Sequence, residues 1–494
     1  MRYVLAIDEG TTGVTCLMIG EDGHVGGRGY CEVPQHFPRA GWVEHDALEI
    51  LECVRVAGRE AIAAAGVAPA AIGVTNQRET VVIWERATGR PVHRAIVWQD
   101  RRTAKRCQEL APRTQWITER TGLLPDPYFS ATKVEWLLRE ERLLDRYEAS
   151  DLAVGTIDTW LVWRLTGGAV HATDPTNASR TMLFDIGEMK WSDELCELFG
   201  VPLEMLPEVR RSSGDFGLAR GDILGVEAPI LGIAGDQQSA LFGQGCWTRG
   251  SGKNTYGTGA FLLLNTGTER PVPRDGLLTT VACDATGGPA YALEAAIFIA
   301  GAAIQWLRDG LGIIDRASDT EAIARSIEST DGVYFVPALT GLGAPHWEPD
   351  ARGTIVGLTR GTGRAHIVRA ALEAMAYGTA EVLGSMREAS GASFDRVRVD
   401  GGATMNDWLM QFQADLLGVP VERPDMVETT ALGAAGLAGL AAGVWKSPEE
   451  FLSTREFTAF EPTMLRADAD RALAGWRRAV HAAVVWARDA RAGS

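Results

Sequence analysis

A carboxylate followed by two amides stands near the middle of the chain, in the stretch Gly235-Asp236-Gln237-Gln238. An apolar run over residues 229–234 precedes it, and a helix-compatible Ser-Ala-Leu-Phe follows it. This pattern predicts a buried strand that delivers polar groups to its carboxyl end, where open α/β sheets bind their ligands. A carboxylate fixed there can accept a proton from a substrate hydroxyl. The stretch alone leaves open the alternative that Asp236 is only the N-cap of the next helix.

A second polar turn lies near the start of the chain and reads Asp8-Glu9-Gly10-Thr11-Thr12-Gly13. It separates two apolar segments, 3–8 and 14–19, that predict an antiparallel hairpin. Backbone N–H groups and threonine hydroxyls in such a turn can bind a phosphate, and Asp8 can hold its Mg²⁺ directly or through water. A plain turn without a ligand is the alternative. The chain has no Walker A sequence and no dinucleotide-binding Gly-x-Gly-x-x-Gly between a strand and a helix.

Further strands also end in polar or glycine-rich clusters. Residues 71–75 lead into Asn76-Gln77-Arg78-Glu79-Thr80, and 95–98 lead into Gln99-Asp100-Arg101-Arg102. A fold does not by itself require such clusters, although solvated loops remain the alternative for each one. The strand predicted at 396–399 runs into Asp400-Gly401-Gly402, whose glycines have no side chain to keep a base or a ribose away from the backbone.

The elements that must position these clusters follow from the apolar periodicity. Helices are predicted over residues 46–65, 132–144, 295–307, 366–387, 406–417 and 430–442. A loop-like segment at 245–250 is followed by a second Gly/Thr turn at 253–259 and a strand at 260–264. The second turn resembles the first only weakly in sequence. It nevertheless suggests two related α/β halves, 1–247 and 248–494, with a nucleotide between them.

Composition narrows the classes of function. The 494 residues are 46% hydrophobic and 23% charged, and no apolar run is long enough to span a bilayer, which predicts a soluble enzyme without stable membrane insertion. The formal net charge of −16 disfavours binding to nucleic acid or to an anionic membrane. The seven cysteines are scattered, without a Cys-x-x-Cys pair, and the eight histidines have no metal-site spacing. Reduced thiols in a cytoplasmic protein, with no protein-built transition-metal site, are therefore expected.

Taken together, these segments resemble the glycerol kinases of the FGGY carbohydrate kinase family, nearly from end to end. The resemblance is carried by residues 8–12, 41–46, 75–80, 97–99, 126–130, 176–184, 235–238, 253–259, 341–345 and 400–402. It implies two actin-like (ribonuclease H-like) α/β domains that face each other across a catalytic cleft. It also implies ATP as phosphoryl donor, Mg²⁺ as its metal, glycerol as small-molecule substrate, and a homo-oligomer, either a dimer or a tetramer.

The resemblance also assigns roles to individual residues. Asp236 is implied to be the catalytic base that faces the primary hydroxyl of glycerol, and Asp8 to lie on the Mg²⁺ side. The glycerol pocket is implied to comprise Arg78, Glu79, Trp98, Tyr128, Asp236, Gln237 and Phe261. The residues implied to line the nucleotide are Thr11, Thr12, Gly13, Thr258, Gly301, Gln305, Gly401 and Asn406. In this scheme residues 1–247 supply the glycerol pocket and the phosphate turn, and residues 248–494 supply most of the nucleotide site.

The pocket assignment agrees with the chemistry of the residue types. A triol needs hydrogen-bonding groups along its hydroxyl edge, which the carboxylates, the guanidinium and the amide supply, and a flat apolar wall for its carbons, which Trp98 and Phe261 supply. Another FGGY kinase, acting on a different polyol or on a ketose (erythritol or xylulose), is the nearest alternative function. A non-enzymatic, actin-like ATP-binding module is the alternative from a different class.

Two positions in the first turn depart from the family pattern. The family has Gln at position 9 and Arg at position 15, where this chain has Glu9 and Thr15. The sequence leaves open whether the extra carboxylate and the missing cation weaken nucleotide binding. Residues 213–228 also lack the loop that binds fructose 1,6-bisphosphate in some bacterial members and the histidine that is phosphorylated in others. Neither form of regulation is therefore expected.

Overall fold

The computed structural model describes residues 1–272, 276–426 and 428–492 and is an α/β protein. The first half contains β1 (Tyr3–Glu9), β2 (Gly13–Gly20), β3 (Val25–Glu32), β4 (Glu44–His45), α1 (Ala47–Ala65), β5 (Ala71–Asn76), β6 (Val81–Glu85), β7 (Ala95–Ile96), α2 (Ala104–Glu109), α3 (Thr114–Thr121), α4 (Ser130–Glu140), β8 (Leu152–Thr156), α5 (Ile157–Leu165), β9 (Ala172–Thr173), α6 (Pro175–Ala178), β10 (Phe184–Asp185), β11 (Lys190–Trp191), α7 (Asp193–Phe199), β12 (Glu208–Val209), β13 (Leu218–Ala219), α8 (Gly221–Leu224), β14 (Ala228–Gly235) and α9 (Asp236–Gly243).

The second half adds a further set of strands and longer helices. These are β15 (Gly252–Tyr256), β16 (Ala260–Gly267), β17 (Leu278–Cys283), β18 (Pro289–Ile297), α10 (Gly301–Gln305), α11 (Asp319–Arg325), β19 (Tyr334–Val336), β20 (Thr354–Val356), α12 (Arg364–Ser390), β21 (Val397–Asp400), α13 (Asp407–Leu417), β22 (Val421–Pro424), α14 (Thr429–Ala441), α15 (Pro448–Ser453), β23 (Phe457–Phe460) and α16 (Arg466–Ala492).

The two large sheets share the order of six strands when one of them is read in the opposite direction, and the second sheet has β17 as an additional edge strand. The first runs β13-β14-β5-β1-β2-β3 and the second runs β17-β18-β16-β15-β21-β22-β23. In the first sheet β1 is antiparallel to β2 and parallel to β5, and β14 continues parallel to β5. In the second sheet β15 is antiparallel to β16 and parallel to β21, and β22 continues parallel to β21. This repetition confirms the prediction of two related α/β halves, although the sequence echo between them is faint.

Local sequence signals account for the hairpin and the first long helix. Strand β1 pairs with β2 from Tyr3↔Gly20 to Glu9↔Val14, as the alternating apolar segments predict. Helix α1 begins after Asp46, whose carboxylate accepts from the Leu48 N–H at 2.8 Å, and ends at Gly66 in the left-handed region at φ 69°. An aspartate N-cap and a glycine after the last turn are the ordinary start and stop signals of a helix.

Helix α14 returns from the second half of the sequence to the first sheet. Its residues Ala431, Leu432 and Ala435 are buried in one cluster with Val4 and Ala6 of β1. A Cβ at Gly73 of β5 would overlap the carbonyl of Ala434. The predicted close packing of this Ala/Gly-rich helix is therefore confirmed. The division of the chain at residue 247 stays a prediction. Helix α14, which comes after residue 247, packs against the first sheet.

Three parts of the sequence interpretation need correction. Residues 295–297 end strand β18, and the helix predicted over 295–307 begins only at Gly301. An apolar run buried in a sheet has no strand-like alternation, so its pattern does not separate strand from helix. Helix α4 ends at Glu140, short of the predicted residue 144, and β7 covers only Ala95 and Ile96. No helix in the described parts of the chain is long and apolar enough to cross a membrane.

Candidate active site

Strand β14 delivers Asp236 to the carboxyl edge of the first sheet, as the sequence predicts. Gly235 occupies the N-cap position of α9, and Asp236 is the first helical residue, so the N-cap alternative for Asp236 is wrong. One carboxylate oxygen, Oδ1, accepts from the Gln237 N–H at 2.7 Å and lies 3.0 Å from Arg78 Nε. The Asp236 side chain is 34% exposed, which leaves it accessible to a substrate.

Arg78 and Glu79 follow β5 and lie beside Asp236, as implied by the resemblance. The Arg78 side chain crosses Gly235 so closely that a Cβ there would be 2.6 Å from Arg78 Cγ. Glu79 is 1% exposed and has a positive φ of 63°, a conformation that non-glycine residues adopt rarely and often at functional sites. Its Oε1 accepts from Arg180 Nε at 2.7 Å, whereas Oε2 has no hydrogen-bond partner among the described residues. Burial raises the pKa of Glu79, and Arg78 and Arg180 oppose that rise.

Two aromatic side chains form a wall next to these charges. The Trp98 and Tyr128 rings meet edge to face, with centroids 5.5 Å apart and an interplanar angle of 89°. Tyr128 Oη accepts from Arg78 Nη2 at 3.4 Å, which joins the wall to the charged groups. Trp98 Nε1 donates to Thr11 Oγ1 at 2.9 Å. The Trp98–Tyr128 wall therefore touches the turn in which a phosphate site is predicted.

Phe261 and Gln237 are the two remaining members of the predicted glycerol pocket. Phe261 is half-buried on β16, in the second half. Gln237 is held by Lys253 of β15, whose Nζ donates to Gln237 Oε1 at 2.6 Å and to Thr255 Oγ1 at 2.6 Å. An ammonium group only donates, so it fixes the carbonyl end of the Gln237 amide toward itself and leaves the NH₂ end free to face a substrate. Burial lowers the pKa of Lys253.

The first turn forms between β1 and β2 at the same edge. Gly10 N–H donates to the Gly13 carbonyl at 2.9 Å, which closes the turn around Thr11 and the exposed Thr12. Burial, Asp236 and Glu428 raise the pKa of Asp8 to about 7. A divalent cation would relieve this mutual repulsion, and carboxylate oxygens are the ligands that Mg²⁺ prefers. The residues present therefore fit a Mg²⁺ ion at Asp8.

The structure shows where the two departures in the first turn lie. Glu9 is fully buried, and its Oε1 accepts from Gln77 Nε2 at 2.8 Å, so it faces the interior. Burial raises the pKa of Glu9 to about 8. Thr15 pairs directly with Asp8 across β1 and β2. The extra carboxylate thus lies within the core, whereas the cation that the family has at position 15 is missing beside Asp8.

The predicted nucleotide residues of the second half gather around the carboxyl ends of β15 and β21. Gly257 N–H donates to the Gly259 carbonyl at 2.8 Å, which forms a tight turn around the exposed Thr258. Gly301 N–H donates to the Gly257 carbonyl at 3.0 Å, and Gln305 is exposed one turn further along α10. Gly257 and Gly301 thus bring two backbone segments together beside Thr258, and glycine-rich backbone of this kind can approach phosphates and a ribose closely.

Gly401 and Asn406 lie on the segment between β21 and α13. Gly401 has a φ of 90°, and a Cβ there would overlap the carbonyl of Tyr256, so the close approach of the two strands requires glycine. Asn406 is the N-cap of α13: its Oδ1 accepts from the Leu409 N–H at 2.9 Å and its Nδ2 donates to Thr320 Oγ1 at 3.2 Å. The Asn406 side chain thus has a structural role, and its predicted contact with the nucleotide stays a prediction.

Family models match both halves of the chain. The FGGY family of carbohydrate kinases matches through its N-terminal domain at residues 3–243 and through its C-terminal domain at residues 252–442. The chain belongs to the FGGY family of carbohydrate kinases. This FGGY kinase is 52% identical to "Glycerol kinase 2" of Thermotoga maritima over 493 aligned residues. The alignment covers 98% of this chain and 99% of the relative. The chain is also 52% identical over 497 residues to "Glycerol kinase" of Deinococcus radiodurans, with 99% of each chain covered.

A solved structure supports the same assignment. The crystal structure of Plasmodium falciparum glycerol kinase with ADP superposes with a TM-score of 0.93 at 36% sequence identity and covers 98% of each chain. The prediction of a two-domain FGGY fold of α/β type is thereby confirmed.

Three charged residues at the site of this FGGY kinase were not singled out by sequence reasoning. Arg180 and Lys253 lie inside segments that carry the family resemblance, yet nothing in their residue types marked them. Glu294 lies in β18, one residue before the helix predicted over 295–307. A lone glutamate between apolar residues 290–293 and 295–297 was the available signal, because a buried charge needs partners from elsewhere in the fold.

Proposed function

We propose that this FGGY kinase is a glycerol kinase, which transfers the γ-phosphoryl group of ATP to the primary hydroxyl of glycerol. The products are sn-glycerol 3-phosphate and ADP. The near-complete coverage of relatives that are named glycerol kinases, at 52% identity, supports this substrate. The alternative of a non-enzymatic ATP-binding module is disfavoured because the acceptor side retains a carboxylate, a guanidinium and an aromatic wall in contact.

The observation that carries the proposal is the pairing of Asp236 with Arg78 beside the Trp98–Tyr128 wall. Asp236 is proposed as the base that accepts the proton of the attacking hydroxyl. The unpartnered Glu79 Oε2 is an acceptor for a second hydroxyl, and the NH₂ end of Gln237 is a donor. The flat rings suit the carbon side of a small polyol.

ATP is proposed to bind between the two Gly/Thr turns, with its phosphates at the first turn and its nucleoside along Gly301 and Gly401. A Mg²⁺ ion held by Asp8 would neutralise the developing charge on the phosphates when bound. The hydrogen bond between Trp98 and Thr11 joins the proposed acceptor wall to the proposed phosphate turn, which supports direct transfer between the two substrates. Phosphoryl transfer needs little covalent work from the protein, so positioning and charge provide most of the acceleration.

A panel of phosphoryl acceptors tests the proposed substrate. ADP release is measured by a coupled assay with glycerol, erythritol, D-xylulose and water as acceptors, at several concentrations of each. The proposal predicts the highest kcat/KM for glycerol. A higher kcat/KM for a pentulose or for erythritol would overturn the choice of glycerol, and ATP binding without turnover of any acceptor would favour the non-enzymatic module.

Two further expectations remain predictions about the protein in solution. A cytoplasmic location and a homo-oligomer, a dimer or a tetramer, are implied by the resemblance. Size-exclusion chromatography with light scattering measures the second. A mass close to 53.2 kDa at assay concentrations would contradict it, because that is the mass of one chain.

A further inference from the structure

A carboxylate from the second half of the chain lies buried between two arginines of the first half. Glu294 of β18 is 3% exposed. Arg78 donates to its two oxygens, from Nη1 at 2.6 Å and from Nη2 at 3.1 Å. Arg180 donates to Glu294 Oε1 from Nη2 at 3.0 Å. Bidentate pairing of this kind fixes the plane of a guanidinium as well as its charge.

The same two arginines contact the carboxylates of the proposed acceptor pocket. Arg78 Nε lies 3.0 Å from Asp236 Oδ1, and Arg180 Nε donates to Glu79 Oε1 at 2.7 Å. The five side chains therefore form one cluster, in which the two guanidinium groups lie among the carboxylates of Asp236, Glu294 and Glu79, and Glu79 Oε1 also lies 3.8 Å from Arg78 Nε. Glu294 is at the centre of this cluster because it accepts hydrogen bonds from both arginines.

The register of the second sheet brings Glu294 to this position. Glu294 pairs with Leu263 of β16, and Ala296, two residues further along β18, pairs with Phe261. Directly paired residues of antiparallel strands lie on the same face of a sheet, and so do residues two apart. Glu294 and the proposed apolar wall residue Phe261 are thus presented by one face of the second sheet toward the first half.

Removal of the central charge would leave two buried guanidinium groups side by side. Burial alone would raise the pKa of Glu294, but Arg180 and Arg78 outweigh it and lower that pKa to about 2. Without the carboxylate, both arginines lose a charged acceptor, and Arg78 keeps only the neutral acceptors Gln238 Oε1 and Tyr128 Oη for its Nη1 and Nη2. The two positive charges are then compensated by the pocket carboxylates Asp236 and Glu79. Those carboxylates would then be drawn toward the arginines and away from a substrate.

We propose that Glu294 is a positioning residue of the acceptor pocket, which holds Arg78 and Arg180 so that Asp236 and Glu79 face glycerol. This role depends on the proposed function at the same site. Because Glu294 comes from the second half, the acceptor pocket in the first half is complete only when the two halves are packed together. The specificity for the acceptor then depends on a residue outside residues 1–247.

The test compares Glu294→Gln with Glu373→Gln in steady-state assays with varied glycerol and varied ATP, together with the melting temperature. Glu373 is a suitable control because it is also a buried glutamate of the second half, 5% exposed, with a single arginine partner, Arg369, at 2.9 Å. In Glu294→Gln, the KM for glycerol is expected to rise about 10- to 100-fold, since charge-assisted hydrogen bonds are lost. The KM for ATP is expected to change by less than about 3-fold. The control is expected to change neither KM by more than about 2-fold.

A different result is expected if Glu294 only stabilises the packing of the two halves and does not position the pocket. A lower melting temperature in Glu294→Gln with an unchanged KM for glycerol would overturn the proposal. If Glu294→Gln does not fold, Glu294→Asp provides the test: it keeps the charge one methylene short, and its KM for glycerol is expected to rise by a smaller factor. An unchanged KM in that variant would also overturn the proposal. Failure of the wild-type protein to phosphorylate glycerol would instead reject the proposed function.

Discussion

At the scale of single residues, the fixed orientation of the Gln237 amide leads to a testable prediction. Lys253 Nζ donates to Gln237 Oε1, so the carbonyl end of this amide is fixed, and in the proposed pocket its NH₂ end donates to glycerol. In Lys253→Met the amide is free to rotate, so kcat/KM for glycerol is expected to fall by about 10-fold, the worth of one charge-assisted hydrogen bond. Coupled ADP-release kinetics measure this. Lys105→Met, which changes an exposed lysine, is the control, and an unchanged kcat/KM for glycerol in Lys253→Met would contradict the role of the ammonium.

The sequence predicts some of the charged residues at the candidate site but not others. Asp236, Arg78 and Glu79 were found because polar clusters directly follow apolar strands, and the structure brings them into contact. Glu294 and Arg180 were not found, because their importance comes from partners more than 100 positions away in the chain. Local pattern contains no information on such pairings. For Glu294 a signal exists, since it is a charge within an apolar segment, whereas Arg180 lies in a polar segment and has no such signal.

At the scale of elements, the spacing of α9 and α14 depends on glycine. A Cβ at Gly433 of α14 would overlap the carbonyl of Ser239 in α9. Gly433→Ala is therefore expected to destabilise the protein by about 1–3 kcal/mol through overpacking. It should also lower activity, since α9 begins with Asp236. Thermal unfolding and ADP release measure the two effects.

A matched variant separates packing from helix propensity. Gly384 lies within α12, and a Cβ there would meet no described atom within 4 Å. Gly384→Ala is expected to stabilise the protein by about 0.5–1 kcal/mol, because alanine loses less conformational entropy in a helix. Equal destabilisation by Gly433→Ala and Gly384→Ala would contradict the packing explanation.

Elements were predictable where their patterns are long and have clear caps. The hairpin of β1 and β2 and the helix α1 agree with the sequence because alternation, a cap and a terminal glycine all agree. The helix predicted over 295–307 failed because β18 is buried in a sheet and its apolar run lacks alternation. Tertiary burial decides such segments, and it is not visible in a local window.

At the scale of the whole molecule, one buried carboxyl makes stability depend on pH. Asp158 is fully buried, and burial raises its pKa to about 7, although Thr156 and Thr173 donate hydrogen bonds to it. A carboxyl whose pKa is raised in the folded state contributes stability at low pH, and this contribution is lost as pH rises from its unfolded value of 3.8 through about 7. Asp158→Asn removes this loss. Its melting temperature relative to wild type is expected to be higher at pH 8 than at pH 5.

Melting curves of wild type and variant across pH 5–8 measure this difference, with the exposed Asp395→Asn as control. A difference between Asp158→Asn and wild type that stays constant or falls toward pH 8 would contradict a raised pKa.

The overall architecture was more predictable than the packing between the halves. The weak sequence similarity between residues 8–13 and 253–259 corresponds to two sheets that share the order of six strands. The return of α14 to the first sheet was not foreseen, because its Ala/Gly composition predicts close packing without naming a partner. Glu294, which reaches from the second half into the acceptor pocket, belongs to the same class of long-range feature.

The central claim is that this protein is a glycerol kinase with Asp236 as its catalytic base. The most direct test compares the rates at which wild type and Asp236→Asn form sn-glycerol 3-phosphate. The wild type is expected to form this product from ATP and glycerol. Asp236→Asn is expected to be slower by about 100- to 10,000-fold, the contribution of a positioned base, while glycerol still raises its melting temperature. Near-normal formation of sn-glycerol 3-phosphate by Asp236→Asn would contradict the assignment of Asp236, and its absence in the wild type would contradict the proposed function.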